Sequence, residues 1–150
     1  KIKINASVKK QIKNEIKFNL DKFAAYKKFA VSTINSKNNL INIFSKLKLL
    51  KKRIIGYGAT AKATTILNFC NLDHNFFDFF VDTTPGKSNK FMPGKNIKIL
   101  RYNQKLLKSI DYIFLGAWNF KKEIFNKEKN FIKRGGKFIT HVPFPRIINK

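Results

Sequence analysis

The sequence predicts an α/β fold in which a mostly parallel sheet is flanked by helices and preceded by an N-terminal helical segment. Three observations carry that expectation. Apolar residues return at helical spacing from Val8 to Leu50, and beyond Leu50 short apolar runs alternate with helical segments. A Gly-x-Gly turn then joins the first of those runs to the helix that follows it. At 150 residues and 43% hydrophobic content the chain supports one core, so the division expected is a helical lead-in over 1–50 and a single α/β domain over 51–150.

The lead-in is read from Ile12, Ile16, Leu20 and Phe23, then Ala30 and Ile34, then Leu40, Ile43, Leu47 and Leu50, with breaks expected near Asp21 and at Ser36-Lys37-Asn38-Asn39. Arg53 to Tyr57 is the first strand and Thr60 to Asn71 the helix after it. Phe76 to Val81 is the second strand, closed by Asp82, and a Pro/Gly/Lys loop from Thr83 to Asn96 leads to a short strand, Ile97 to Leu100. A brief helix spans Asn103 to Lys108, a central strand Asp111 to Ala117, a helix Lys121 to Lys133, and a last strand Lys137 to Val142 before Pro143-Phe144-Pro145. With right-handed crossovers this is a Rossmann-like arrangement.

The formal charge of +24 points first to nucleic acid, because clustered Lys and Arg neutralise phosphates. Only four of the 32 basic residues are Arg, however (Arg53, Arg101, Arg134, Arg146), and Lys, Asn, Ile and Phe make up more than half of the chain. These four types share A/T-rich codons, and the basic residues are spread along the whole length, so a solvated lysine surface is the simpler reading. No apolar run approaches the ~20 residues that span a bilayer, and the N-terminus lacks a signal-type apolar stretch. The helices' Asn-rich polar face and lack of Trp count against a membrane-surface role. A cytoplasmic protein is expected, cut from something longer because it opens on Lys1. The lone Cys70, with His74 and His141 far apart, leaves no metal site or disulfide framework, and Cys70 and His141 are expected to be structural.

Gly56-Tyr57-Gly58-Ala59-Thr60-Ala61 fits G-x-G-x-x-A. In that pattern the first glycine permits the tight turn, the second lets backbone approach phosphate, and the last small residue lets the helix pack closely. The backbone N–H groups of Gly58 to Thr60 and the positive end of the helix are the expected phosphate grip, with Lys62 as a counter-charge. Asp82 falls where a dinucleotide-binding domain places the carboxylate that accepts ribose hydroxyls, although a turn-initiating Asp before Thr83-Thr84-Pro85-Gly86 would look the same. Trp118-Asn119 and Pro143-Phe144-Pro145 also follow strands. Four unusual loops therefore share the rim outside the strands' carboxyl ends, where open α/β sheets bind ligands. No pair of carboxylates, Ser/His/Asp order or Cys/His pair marks a catalytic centre, so the chain reads as a binding half.

The strings GYGATAKATTILNFC, VDTTPGKSNKFMPGKNIKI, DYIFLGAWNFKKEI and RGGKFITHVPFP, in this order, resemble the C-terminal domain of sugar C-methyltransferases. The resemblance implies an S-adenosylmethionine-dependent enzyme that methylates a carbon of a nucleotide-linked keto-deoxysugar. It implies a small zinc-binding module and a central S-adenosylmethionine-binding domain upstream, with the present chain as the third part, which helps to hold the nucleotide-sugar. Gly56, Tyr57, Gly58, Ala59, Ala61 and Lys62 match the family's glycine-rich turn; Asp82, Pro85 and Lys87 match its acidic loop, and Pro93-Gly94 and Trp118-Asn119 match as well. Asn89, Lys95 and His141 depart from the residues usual there.

The function expected on this basis is to hold the diphosphate and part of the nucleoside of a dTDP-type sugar, with Lys62 and Lys87 as counter-charges. The methyl donor and the catalytic base belong to another domain, and the chain alone is expected to be inactive. The alternatives are a free-standing NAD-binding module, which shares the turn and Asp82, and a basic nucleic-acid-binding protein.

Overall fold

The computed structural model describes residues 4–148, so the first three residues of the expected lead-in and the last two of the chain lie outside it. The fold is α/β, with a largely parallel six-stranded sheet flanked by helices and preceded by two N-terminal helices. The chain divides into two compact units between Asn35 and Ser36. In the first, helix α1 (Ala6–Lys17) starts where the Asn5 side chain accepts the Ser7 N–H at 3.0 Å. Its apolar residues Val8, Ile12 and Ile16 are all exposed. The break expected near Asp21 is present, with Asn19 in the left-handed region (φ 57).

Helix α2 (Phe23–Leu49) has no break at Ser36–Asn39, against expectation. None of those residues lacks an N–H or requires positive φ, and each costs under about 0.7 kcal/mol of helix propensity relative to Ala. Packing outweighs that cost: Leu40, Phe44 and Leu47, at i, i+4 and i+7, are buried in the second unit's core.

That core is built on strands β1 (Ile54–Tyr57), β2 (Phe80–Asp82), β3 (Ile99–Arg101), β4 (Tyr112–Leu115), β5 (Lys137–Thr140) and β6 (Arg146–Ile148), ordered β3-β2-β1-β4-β5-β6. All pairs are parallel except β5 with β6. Both faces are covered, which is why the strands read as continuous apolar runs. Alternation sends Ile54, Phe80, Phe114 and Ile139 to one face, beneath α2 and helix α3 (Ala61–Cys70). It sends Ile55, Tyr57, Val81, Ile113, Leu115 and Phe138 to the other, beneath helices α4 (Lys121–Lys127) and α5 (Lys129–Lys133). On the first face the Phe44 ring meets Phe77 at 5.0 Å and Phe114 at 5.8 Å between centroids.

Three expectations need correction. The second strand begins at Phe80 rather than Phe76, since the preceding residues form a turn in which Asp73 accepts the Asn75 N–H at 2.8 Å. The helix expected over Lys121–Lys133 divides at Glu128, whose carboxylate is drawn inside onto two tyrosine hydroxyls. The segment Pro143-Phe144-Pro145 leads into a sixth strand, missed because β6 is a three-residue edge strand with little apolar burial to pattern it.

Candidate functional site

The order of the sheet reverses between β1 and β4, because the chain builds outward from β1 through β2 and β3 and then returns to β1's other side. The crevice outside the carboxyl ends of the strands at such a reversal is where ligands bind in open α/β sheets. Here it opens as a cleft of about 430 Å³ lined by residues from the loops after β1, β2 and β4 and from α4.

The turn after β1 is tight. Gly58 has φ +89, and a Cβ there would lie 2.5 Å from the Ala117 Cβ, so only glycine fits. Gly56 has a different reason: it lies within β1 opposite Phe80, and a Cβ would lie 2.1 Å from the edge of that ring. The turn-forming role read for the first glycine thus belongs to Gly58, and Gly56 exists to admit Phe80. Thr60 caps α3, accepting the Ala63 N–H at 3.1 Å while its hydroxyl donates to the Gly116 carbonyl at 2.9 Å.

The three N–H groups read as the phosphate grip are used inside the protein. Gly58 donates to the Val81 carbonyl at 2.8 Å, Ala59 to Asp82 Oδ2 at 2.8 Å and Thr60 to the Gly58 carbonyl at 3.0 Å. With Ala63 capped by Thr60, the first turn of α3 leaves the N–H groups of Ala61 and Lys62 without an intrahelical acceptor. Asp82 is buried and equally committed. Its Oδ2 also accepts from Lys87 Nζ at 3.2 Å, and its Oδ1 accepts the Thr84 N–H at 2.8 Å. Three of its roughly four acceptor positions are therefore filled by the protein. Burial pushes the Asp82 carboxyl up, but the bonds from Thr84, Lys87 and Ala59 outweigh it and hold the group below the usual carboxylate range. Lys87 Nζ completes the clamp by donating to the Ala59 carbonyl at 2.9 Å.

Beneath the cleft, Glu128 is fully buried. Its Oε1 accepts from the Tyr57 hydroxyl at 3.2 Å and the Tyr102 hydroxyl at 2.6 Å, while Oε2 has no partner. Burial first, and then the Glu128 charge, raise both phenols above their ordinary range. A second cleft of about 550 Å³ adjoins the first, sharing Phe120 and Glu123 with it and reaching Trp118, Thr140 and Arg146. Among the described residues, no group of three or more His, Cys, Asp or Glu is placed to hold a metal ion, and no helix is long and apolar enough to cross a membrane.

Residues 1–143 match the family model described as the C-methyltransferase C-terminal domain. The chain belongs to that family. That membership is what the four sequence strings implied. Over 98 residues it is 41% identical to the C-methyltransferase NovU of Streptomyces niveus; that stretch is 65% of this chain but 23% of NovU, so the chain spans about a quarter of its relative's length. Among solved structures, UDP-D-quinovosamine 4-dehydrogenase from Vibrio fischeri shares a partial likeness, with TM-score 0.43 and 23% identity over 59% of this chain and 76% of that one.

In this C-methyltransferase C-terminal domain, Tyr57, Gly58, Thr60, Asp82 and Lys87 line the first cleft. Trp118 and Asn119 line the second. Gly56 and Ala59 are buried behind the rim, Pro85 is exposed at the start of a 3₁₀ turn (Pro85–Lys87), and Lys62 holds its Nζ over the Trp118 ring, 5.4 Å from the centroid. The sequence reading missed Glu123 and Lys127 in the first cleft and Arg146 in the second. The signal for the first pair was present: Phe120, Glu123 and Lys127 are spaced i, i+3, i+7 directly after a rim strand, which puts them on one side of α4. His141 packs against Phe114 with 5.5 Å between ring centroids and lines neither cleft. A satisfied structural histidine was expected there, but its buried Nδ1 has no partner, and burial lowers its pKa to about 4.

Proposed function

We propose that this domain holds the nucleotide-sugar substrate of an S-adenosylmethionine-dependent sugar C-methyltransferase, on the rim formed by the loops after β1, β2 and β4. One observation carries the reading: a chain of this family has a cleft at the sheet's reversal point, built from the family-matching residues Tyr57, Gly58, Asp82 and Lys87. The other matching residues have supporting parts. Gly56, Ala59 and Pro85 shape the turn and the acidic loop, Thr60 fixes the start of α3, and Lys62, Trp118 and Asn119 extend the rim toward the second cleft.

The methyl donor belongs to another domain of the full enzyme. The carboxylate that would receive the ribose hydroxyls of S-adenosylmethionine or NAD is Asp82, and it is occupied by Ala59, Thr84 and Lys87. A deoxyribose nucleotide makes less demand on such an acceptor, which favours a dTDP-type substrate. In the full reaction a base removes the proton beside the sugar ketone, and the resulting enolate carbon takes the methyl group. This chain contributes binding and orientation to that sequence, and we assign the base, the S-adenosylmethionine site and a zinc-binding module to upstream domains. The single free cysteine, buried in α3, fits a cytoplasmic enzyme.

Calorimetry with a dTDP-sugar, NAD and S-adenosylmethionine tests the reading. Micromolar binding of the dTDP-sugar alone is expected, and binding of NAD alone would overturn it. The chain by itself should transfer no methyl group, and measurable turnover would show that it contains the chemistry.

A further inference from the structure

Most of the anion-binding capacity expected of the glycine turn is used inside the protein, which leaves only the Ala61 and Lys62 N–H groups at the start of α3. In the first cleft every charge is balanced. Lys87 is spent on Asp82 and on the Ala59 carbonyl, and the remaining pair, Glu123 and Lys127, sums to zero, with Lys127 Nζ drawn 3.6 Å from the centre of the Tyr102 ring. The N–H groups of Gly58, Ala59 and Thr60 are all donated within the protein. The adjoining cleft is different. It carries Lys121, Lys122 and Arg146 against the single carboxylate Glu123, and among the described residues none of the three cations has a carboxylate within 4.0 Å. Lys62, stacked on Trp118, adds a fourth cation at its edge.

Resting on the proposal that this rim holds a nucleotide-sugar, we infer that the diphosphate seats in the second cleft, on Lys121, Lys122 and Arg146 beside Trp118, while the uncharged, hydroxyl-rich part of the ligand occupies the first. The two clefts share Phe120 and Glu123 as lining residues, so an elongated ligand laid across these two side chains would reach both. Arg146 supplies the planar fork that matches phosphate oxygens in pairs, which the lysines cannot. Glu123 at the junction repels phosphate and accepts hydroxyls, and so sets the direction in which the ligand lies. Strand β6 thereby gains a purpose: it brings Arg146 from beyond Pro145 to the edge of the sheet beside β5.

The test is binding of thymidine diphosphate and inorganic pyrophosphate to the full chain by calorimetry, with circular dichroism to confirm that each variant is folded. The double variant Lys121→Met/Arg146→Met should weaken both ligands at least tenfold. A charge-matched control on α1, Lys9→Met/Lys13→Met, should change them less than twofold, which separates a site from the general attraction of a +24 chain. Arg146→Lys should fall in between. Equal losses in the groove and control variants, or none in the groove variant, would overturn the assignment. So would Lys87→Met, if folded, causing the larger loss, since that would return the phosphates to the glycine turn. Failure of the unaltered chain to bind thymidine diphosphate at all would instead reject the nucleotide-sugar reading itself, and this assignment with it.

Discussion

Asp82 Oδ2 accepts the backbone N–H of Ala59 at 2.8 Å, tying the end of β2 to the glycine turn after β1. The carboxylate that would serve a ligand in a dinucleotide-binding domain here serves the protein. Its other bonds, from Thr84 and Lys87, fix the acidic loop to the same point, so the shape of the cleft is set before any ligand arrives. Asp82→Asn cannot accept on both sides, and it leaves the buried Ala59 N–H or the Thr84 N–H unpaired. We expect a loss of about 1–3 kcal/mol, read as a lower urea midpoint. Because the folded-state pKa of Asp82 is depressed, its contribution is present above the unfolded value near 3.9 and is lost as pH falls through the folded one. The variant should therefore lack that part of the wild-type acid sensitivity.

The second prediction concerns Gly56 and the Phe80 ring. A methyl group at Gly56 has no space because Phe80 lies directly over it, so Gly56→Ala should cost about 3 kcal/mol through overpacking. Trimming the ring with Phe80→Leu should recover part of that loss, giving a coupling of at least about 1 kcal/mol in a double-mutant cycle of urea unfolding. Simple additivity would show that the ring is not the obstacle.

Gly56 and Asp82 also mark how far the sequence could be read. The G-x-G spacing located the turn, the end of β1 and the start of α3, because periodicity and turn chemistry are local properties of the chain. It did not disclose that Phe80 stands over Gly56, nor that Asp82 faces Ala59 rather than solvent, because both depend on the register between β1 and β2. The break at Glu128 was hidden for the same reason: its cause, the hydroxyls of Tyr57 and Tyr102, lies on other elements. Arg146 was out of reach because it enters the rim on an edge strand with no apolar pattern of its own. The family strings conveyed what kind of domain this is, and the geometry shows which of their residues line a cleft.

Glu128 supports the floor of the cleft through Tyr57. Removing its carboxylate with Glu128→Ala leaves two phenol hydroxyls unpaired and a void, for an expected cost of about 3 kcal/mol, whereas Glu128→Gln keeps an acceptor and should cost about half as much. The raised phenol pKa values of Tyr57 and Tyr102 add a second readout. Their contribution is complete below about pH 10 and is lost as pH rises above it. Ultraviolet titration of Glu128→Gln should show these two tyrosines ionising at lower pH than in the unaltered chain.

His141 supplies a pH dependence in a separate window. Its ring is packed on Phe114 with Nδ1 buried and unpartnered, so the folded state favours the neutral form and the pKa falls from 6.5 to about 4. Between those values the unfolded chain binds a proton that the folded chain does not, and stability must therefore decrease as pH falls from 6.5 toward 4. Below about 4 this group adds no further slope. His141→Phe keeps a ring against Phe114 and removes the titration, so its urea midpoint should stay level across that window where the wild-type value declines. The Asp82 effect sets in only as pH falls to the unfolded value near 3.9 and continues below it, so the two slopes can be told apart in one pH series. A wild-type curve that is flat from 6.5 to 4 would mean that the His141 ring takes up its proton without leaving the fold.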